Sequence, residues 1–300
     1  MAQHKAEQAS WLKATLREGF QRLRQGDHAG AADCCRKVLQ SKPDLAEGHF
    51  LVGMIALNAD DSRTAIQGFG SVTQLQPDHS GAWAQLARLF MRRGQVNRAE
   101  EALGKAVAHA DDNPMVHDTI ATVYTLLGNA AAASKWQEKA LSRQPENIGF
   151  LINRANNQMF MGDFAGARSR LETAIGLNPR HANTHWLISS LEKAVDRRHI
   201  DEMAAILRDP QLKDPDVAYL SYGLGKELED LRDWPAAFEA FATGAAARRR
   251  SMQYDEAAEA AFFSMLSETY TREWLQTCGP GCDSNAPVFI VGQPRTGTTL

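Results

Sequence analysis

The sequence predicts an all-α solenoid of stacked helical hairpins, and three periodic observations predict it. Pro43, Pro77, Pro145 and Pro179 fall on one 34-residue lattice, with two periods between Pro77 and Pro145. Ala31, Ala65, Ala99, Ala133 and Ala167 recur at the same interval. Gly26, Gly94, Gly128 and Gly162 keep a third register five residues before the alanines, with Asp60 standing in for glycine in the second period. A fixed period of this length marks one supersecondary unit that buries its apolar face only against its neighbours.

Each register has a structural meaning. Glycine suits the left-handed residue that ends one helix and opens a short turn. A small residue in strict period marks a close helix–helix crossing, where a larger side chain would push the backbones apart. Proline cannot continue a helix and suits the start of the next. The hairpins in order pair residues 11–25 with 29–40, 46–58 with 62–74, 80–93 with 96–108, 115–127 with 130–142, and 148–161 with 164–176. Beyond Pro179 the pattern drifts. Residues 182–195 predict another first helix and 200–207 a short second one, followed by a proline-punctuated connection. Residues 218–231 and a segment from Asp233 to about Arg250 predict a last hairpin, and 255–276 one long amphipathic helix.

The succession of Gly53 or Ala87, Phe90, Ala99, Leu103 and Ala106 resembles the tetratricopeptide repeat, and the resemblance covers residues 12–180 as five repeats. The expected organisation is therefore five repeats over 1–180, a degenerate and final repeat over 181–250, a bridging helix and linker over 251–286, and a different domain starting at 287.

The composition agrees with a packed protein. Of 300 residues, 44% are hydrophobic and 23% charged, which excludes disordered and fibrous classes. The net charge of −3 gives no basic surface for nucleic acid or anionic membrane. Residues 1–20 carry charges every few positions and lack the apolar core of a signal peptide, and nothing approaches the roughly 18 apolar residues of a spanning helix, so the expected location is cytoplasmic. Of the four cysteines, adjacent Cys34 and Cys35 point to different sides of a helix. Cys278 and Cys282 lie in a CGPGC loop whose pairing is left open, and reduced thiols are the expectation. His181 and His185 have the i, i+4 spacing of metal ligands, but no carboxylate or cysteine in the sequence pattern completes a set, so no metal site is expected. Arg248-Arg249-Arg250 reads as a solvated helix end that favours the C-terminal dipole.

In this repeat family the first helix of each pair lines the concave surface. Inward positions include Arg17, Phe20, Phe50, Met54, Gln85, Arg88, Arg92, Asp118, Thr122, Asn153, Asn156 and Phe160. Amides both donate and accept, so Asn153, Asn156 and Asn157, with Arg88, are the candidates to hold an extended protein or peptide partner.

The end of the sequence changes character. Pro287-Val288-Phe289-Ile290-Val291 reads as a buried strand and runs into Gly292-Gln293-Pro294-Arg295-Thr296-Gly297-Thr298-Thr299-Leu300. Small residues let backbone N–H groups approach an anion, and hydroxyls add donors. The nucleotide-triphosphatase pattern GxxxxGK[ST] fits poorly, because Thr298 occupies the lysine position. The arrangement PRTGTTL after an apolar strand resembles the 5′-phosphosulfate-binding loop of sulfotransferases, and its order after a tetratricopeptide array is similar to the repeat-containing members of that family.

The resemblance implies an incomplete α/β P-loop-like sulfotransferase domain that uses 3′-phosphoadenylyl sulfate (PAPS) as cosubstrate. An acceptor hydroxyl would attack sulfur in line. Arg295 would stabilise the bridging oxygen as catalytic residue and, with Thr296, Gly297, Thr298 and Thr299, bind the phosphosulfate. The general base and 3′-phosphate site would lie beyond residue 300, so the complete protein is expected to be a sulfotransferase and the 300-residue chain alone inactive. The alternative is a stand-alone tetratricopeptide adaptor for protein–protein interaction, without catalysis.

Overall fold

The structure, a computed structural model, describes residues 2–279 and 281. They divide into two compact units, whose boundary falls between Arg248 and Arg249. All regular elements among the described residues are helices. The expected strand at 287–291 and the phosphate loop after it, including Arg295, Thr296, Gly297, Thr298 and Thr299, lie outside the described residues.

Five hairpins open the first unit. α1 (Ala2–Arg24) packs on α2 (His28–Ser41), α3 (Ala46–Asn58) on α4 (Ser62–Leu75), α5 (Ser80–Arg92) on α6 (Val96–Ala108), α7 (Pro114–Leu126) on α8 (Ala130–Arg143), and α9 (Ile148–Phe160) on α10 (Phe164–Leu177). Gly26, Gly94, Gly128 and Gly162 have φ between 69° and 82°, and Asp60 adopts the same left-handed turn at φ 55°. The five register alanines, Ala31, Ala65, Ala99, Ala133 and Ala167, are 0% exposed. Each therefore occupies a crossing with no room for more side chain.

A fourth register accompanies these three. The residues before the second helices are Asp27, Asp61, Gln95, Asn129 and Asp163, again 34 apart. Asp27, Asp61, Asn129 and Asp163 accept a hydrogen bond from a backbone N–H of the first turn, while Gln95 makes no such bond. Each cap satisfies a donor that the helix start would otherwise leave unpaired.

The first helices also meet one another, α1 with α3, α5 with α7 and α7 with α9, so they form the inner layer of the stack. The largest apolar cluster runs through the middle hairpins, from Ala46 to Val123, around Phe69, Leu89 and Ile120. Separate clusters follow in later repeats.

Departures from the expected elements have local causes. The first helix begins at Ala2 rather than at residue 11. α11 (Ala182–Leu191) stops four residues short of the expected 195. There the Asp230 carboxylate accepts from Ala194 N–H at 2.8 Å, and the Lys226 ammonium donates to the Glu192 carbonyl. These bonds give the chain leaving α11 a non-helical partner set. α12 (Arg198–Leu207) follows, and α11 packs chiefly on α13 (Asp214–Asp230) rather than on α12. α14 (Trp234–Ser251) closes the unit's last hairpin, after Arg232 at φ 63°. In the second unit, the expected single helix over 255–276 is two helices, α15 (Glu256–Thr269) and α16 (Arg272–Thr277). Thr271 breaks it, because its hydroxyl accepts from Trp274 N–H at 3.1 Å and starts a new helix.

Candidate functional site

The inner layer brings polar side chains of three successive repeats together. Arg88 on α5, Asp118 on α7 and Asn153 on α9 are each half-buried. Asn153 Nδ2 donates to both carboxylate oxygens of Asp118, at 3.0 Å each. Burial pushes the Asp118 carboxyl above its ordinary range, while the bonds from Asn153 and the nearby Arg88 charge oppose that shift. Arg88 donates one hydrogen bond to Gln85 at 2.8 Å, and its buried Nε has no partner. Burial lowers the Arg88 pKa, aided by the Arg92 charge and opposed by that of Asp118. A desolvated guanidinium with an unspent donor beside an acceptor-bearing row is suited to a carbonyl or carboxylate.

The four peptide-binding candidates take different places. Asn156 is exposed on α9, next to this row in sequence, and Asn153 is committed to Asp118. Asn157 is 0% exposed and lies between neighbouring repeats, where its amide donates to the Ala130 carbonyl and the Ser134 hydroxyl at 3.0 Å each. The geometry thus makes Asn157 a joint between α8 and α9 and leaves Arg88 and Asn156 as the open contacts. Gln158, part of the same amide stretch, is also buried and donates to the Asp163 carboxylate at 2.7 Å.

The first hairpins carry a group of rings. Phe50 lies 6.4 Å from Phe20 and stacks on His79 at 5.0 Å between ring centres. Phe160, at the end of α9, is 73% exposed.

Remaining candidates are also placed. Cys34 and Cys35 are buried free thiols, with Cys35 pushed up to about 11 by burial, and Cys278 is an exposed free thiol. His181 bonds Thr184 at 2.8 Å instead of converging with His185, whose partner is His199. That pairing, 14 residues apart, follows no helical period. Arg249 lies over the Tyr254 ring at 4.7 Å. No helix among the described residues is long and apolar enough to cross a membrane.

Two family models, each described as tetratricopeptide repeat, match residues 56–123 and 116–147, and the chain contains tetratricopeptide repeats. An uncharacterized protein of Aquifex aeolicus is 24% identical over 221 residues. That match covers 72% of this chain but only 28% of the relative's length. Among solved structures, the thermophilic TPR protein TTC0263 of Thermus thermophilus superposes with TM-score 0.52 at 18% identity, covering 60% of this chain and 98% of that one. PilF of Pseudomonas aeruginosa gives TM-score 0.52 at 15% identity, over 78% and 98%. The human IFIT1 dimer with m7Gppp-AAAA gives 0.65 at 17% identity, over 80% and 60%. These likenesses define the fold as an all-helical tetratricopeptide-like solenoid.

Proposed function

We propose that the chain is a recruiting scaffold whose inner layer binds an extended segment of a protein partner. The carrying observation is the Arg88, Asp118 and Asn153 row across three repeats, with Arg88 half-buried and Asn156 exposed beside it. Repeats of this kind are typical of protein-interaction scaffolds, which supports the reading. The capped oligonucleotide of the IFIT1 structure is not carried over, because a net charge of −3 does not favour a polyphosphate strand. Selection of a displayed random-peptide library against the purified chain tests the reading. Selected peptides should lose binding to Arg88→Ala and Asn156→Ala, and peptides indifferent to both changes would sink it.

A second reading is favoured by the sequence of residues 287–300. In it the complete protein is a PAPS-dependent sulfotransferase that transfers a sulfuryl group to an acceptor hydroxyl, and the repeats present the acceptor. Pro294-Arg295-Thr296-Gly297-Thr298-Thr299 is the feature that supports it. Adenosine 3′,5′-bisphosphate binding by a longer chain, compared with its Arg295→Ala variant, checks this. Weaker binding by the variant is expected, and equal affinity would remove Arg295 from the site. Sulfuryl transfer by the 300-residue chain alone would contradict the expectation that it is inactive.

A further inference from the structure

The irregular hairpin after Pro179 holds a buried chain of polar groups that the scaffold reading does not use. His185 on α11 is 1% exposed, and its Nε2 lies 2.8 Å from the Pro179 carbonyl. Its Nδ1 lies 2.8 Å from Nε2 of His199 on α12. His199 Nδ1 lies 2.6 Å from Oε1 of the buried Glu227 on α13, which also accepts from the Ser189 hydroxyl at 2.8 Å.

The roles along this chain follow from elementary chemistry. A carbonyl only accepts, so His185 Nε2 carries a hydrogen and a neutral His185 presents a bare lone pair at Nδ1. The Glu227 carboxylate accepts from His199 Nδ1, so a neutral His199 presents a bare lone pair at Nε2. Two lone pairs then face each other at 2.8 Å, an arrangement that either a shared proton or a metal ion between them relieves. A proton on His199 would serve two atoms. A third donor is near, because a Glu202 carboxylate oxygen and one ring nitrogen of each histidine all lie within 4.8 Å of one another.

We propose that His185, His199 and Glu202 form a binding site for a divalent transition metal of the zinc class. The Pro179 carbonyl and Glu227 fix the two rings in their ligating tautomers, an outer-shell arrangement that metal-bound histidines almost always have. Tetrahedral bonds of about 2.0 Å require ligand nitrogens about 3.3 Å apart, so the rings need to open by only about half an ångström. A cavity of about 360 Å³, lined by His199, Glu202 and Glu227 among others, gives the ion an entry path and room for water as fourth ligand. Glu202 and Glu227 together balance the two positive charges of the ion. Arg168, Glu172, Glu192, Lys193, Asp196 and Arg198 line the same cavity. The ion would join α11, α12 and α13 where the repeat geometry is least regular.

The test is a Zn(II) titration of the chelator-treated full chain in competition with a chromophoric chelator. One equivalent should bind at about 10 µM free zinc or below, and the bound ion should raise the melting temperature. Glu202 is exposed, so Glu202→Ala keeps the fold and should weaken binding by about tenfold or more. Glu227→Gln should cost roughly 10- to 100-fold through the His199 tautomer. His199→Gln should abolish the stoichiometric site. Failure of the parent chain to bind one equivalent would overturn the proposal and leave a proton as the occupant. Binding that Glu202→Ala leaves unchanged would overturn it equally, because the ion would then sit elsewhere.

Discussion

Asn153 on α9 ties itself to Asp118 on α7 with two 3.0 Å hydrogen bonds, so one amide joins neighbouring repeats across the inner layer. Burial raises the Asp118 pKa above its ordinary value, with the Asn153 bonds and Arg88 opposing. The folded chain therefore holds this proton more tightly than the unfolded chain. Stability linked to Asp118 is greatest at or below the ordinary aspartate value near 4 and is lost as pH rises through the raised folded value. Asp118→Asn, which keeps an acceptor for Asn153, should be at least as stable as the parent at pH 7 in urea denaturation and show a flatter pH dependence. A clear loss of midpoint at pH 7 would contradict this.

Arg232 sits at φ 63° in the last hairpin of the first unit, where earlier repeats carry glycine. Left-handed backbone is costly for a residue with Cβ, so Arg232→Gly should stabilise the chain by roughly 0.5–1 kcal/mol. Asp60→Gly should gain less, because aspartate tolerates this turn better and Asp60 also holds Arg92 at 3.0 Å. Thermal melts of the two variants rank these gains.

The register alanines set the spacing of the crossings. Ala99→Leu should destabilise by about 1–3 kcal/mol through overpacking. Ala131→Leu, at an exposed position on α8, should stay within about 0.5 kcal/mol of the parent. Equal losses in both would show that helix composition rather than the crossing matters.

The caps make an acid-sensitive set. Asp163 is held below the ordinary carboxylate range, chiefly by Gly166 N–H and then by Gln158. Asp61 is held low by Thr64 and Arg63, and Asp27 by Gly30 N–H and Arg22. A depressed folded pKa adds stability above the ordinary value near 4, and that stability is lost as pH falls through the depressed value. Asp163→Ala should therefore melt below the parent at pH 7, and the gap should narrow at about pH 3. A gap that is independent of pH would mean the carboxylate charge has no part in the cap.

The hairpins were legible because their turns and crossings admit few residue types. Glycine at 26, 94, 128 and 162 and alanine at the five crossings are steric requirements, and steric requirements leave a periodic trace. The cap register at 27, 61, 129 and 163 was equally visible in the residues and marks the second-helix starts independently. Asn157 was not separable from Asn153 by pattern. One helical turn rotates it about 40° further, enough to aim it at Ala130 and Ser134 on the neighbouring repeat. The His185, His199 and Glu227 chain left no periodic trace, because it joins three helices where the 34-residue period has lapsed.

The hairpin ladder has a consequence for how the chain folds. α1 to α10 make their main contacts with elements one or two places away, so no distant ends must find each other before these contacts form. Folding can start in any hairpin and spread, and unfolding can peel from an end. The large apolar cluster from Ala46 to Val123 makes the middle hairpins the most cooperative part. Amide exchange should be slowest there and should quicken stepwise toward α1 and α10. Within that stack, local stability becomes a function of position along a line.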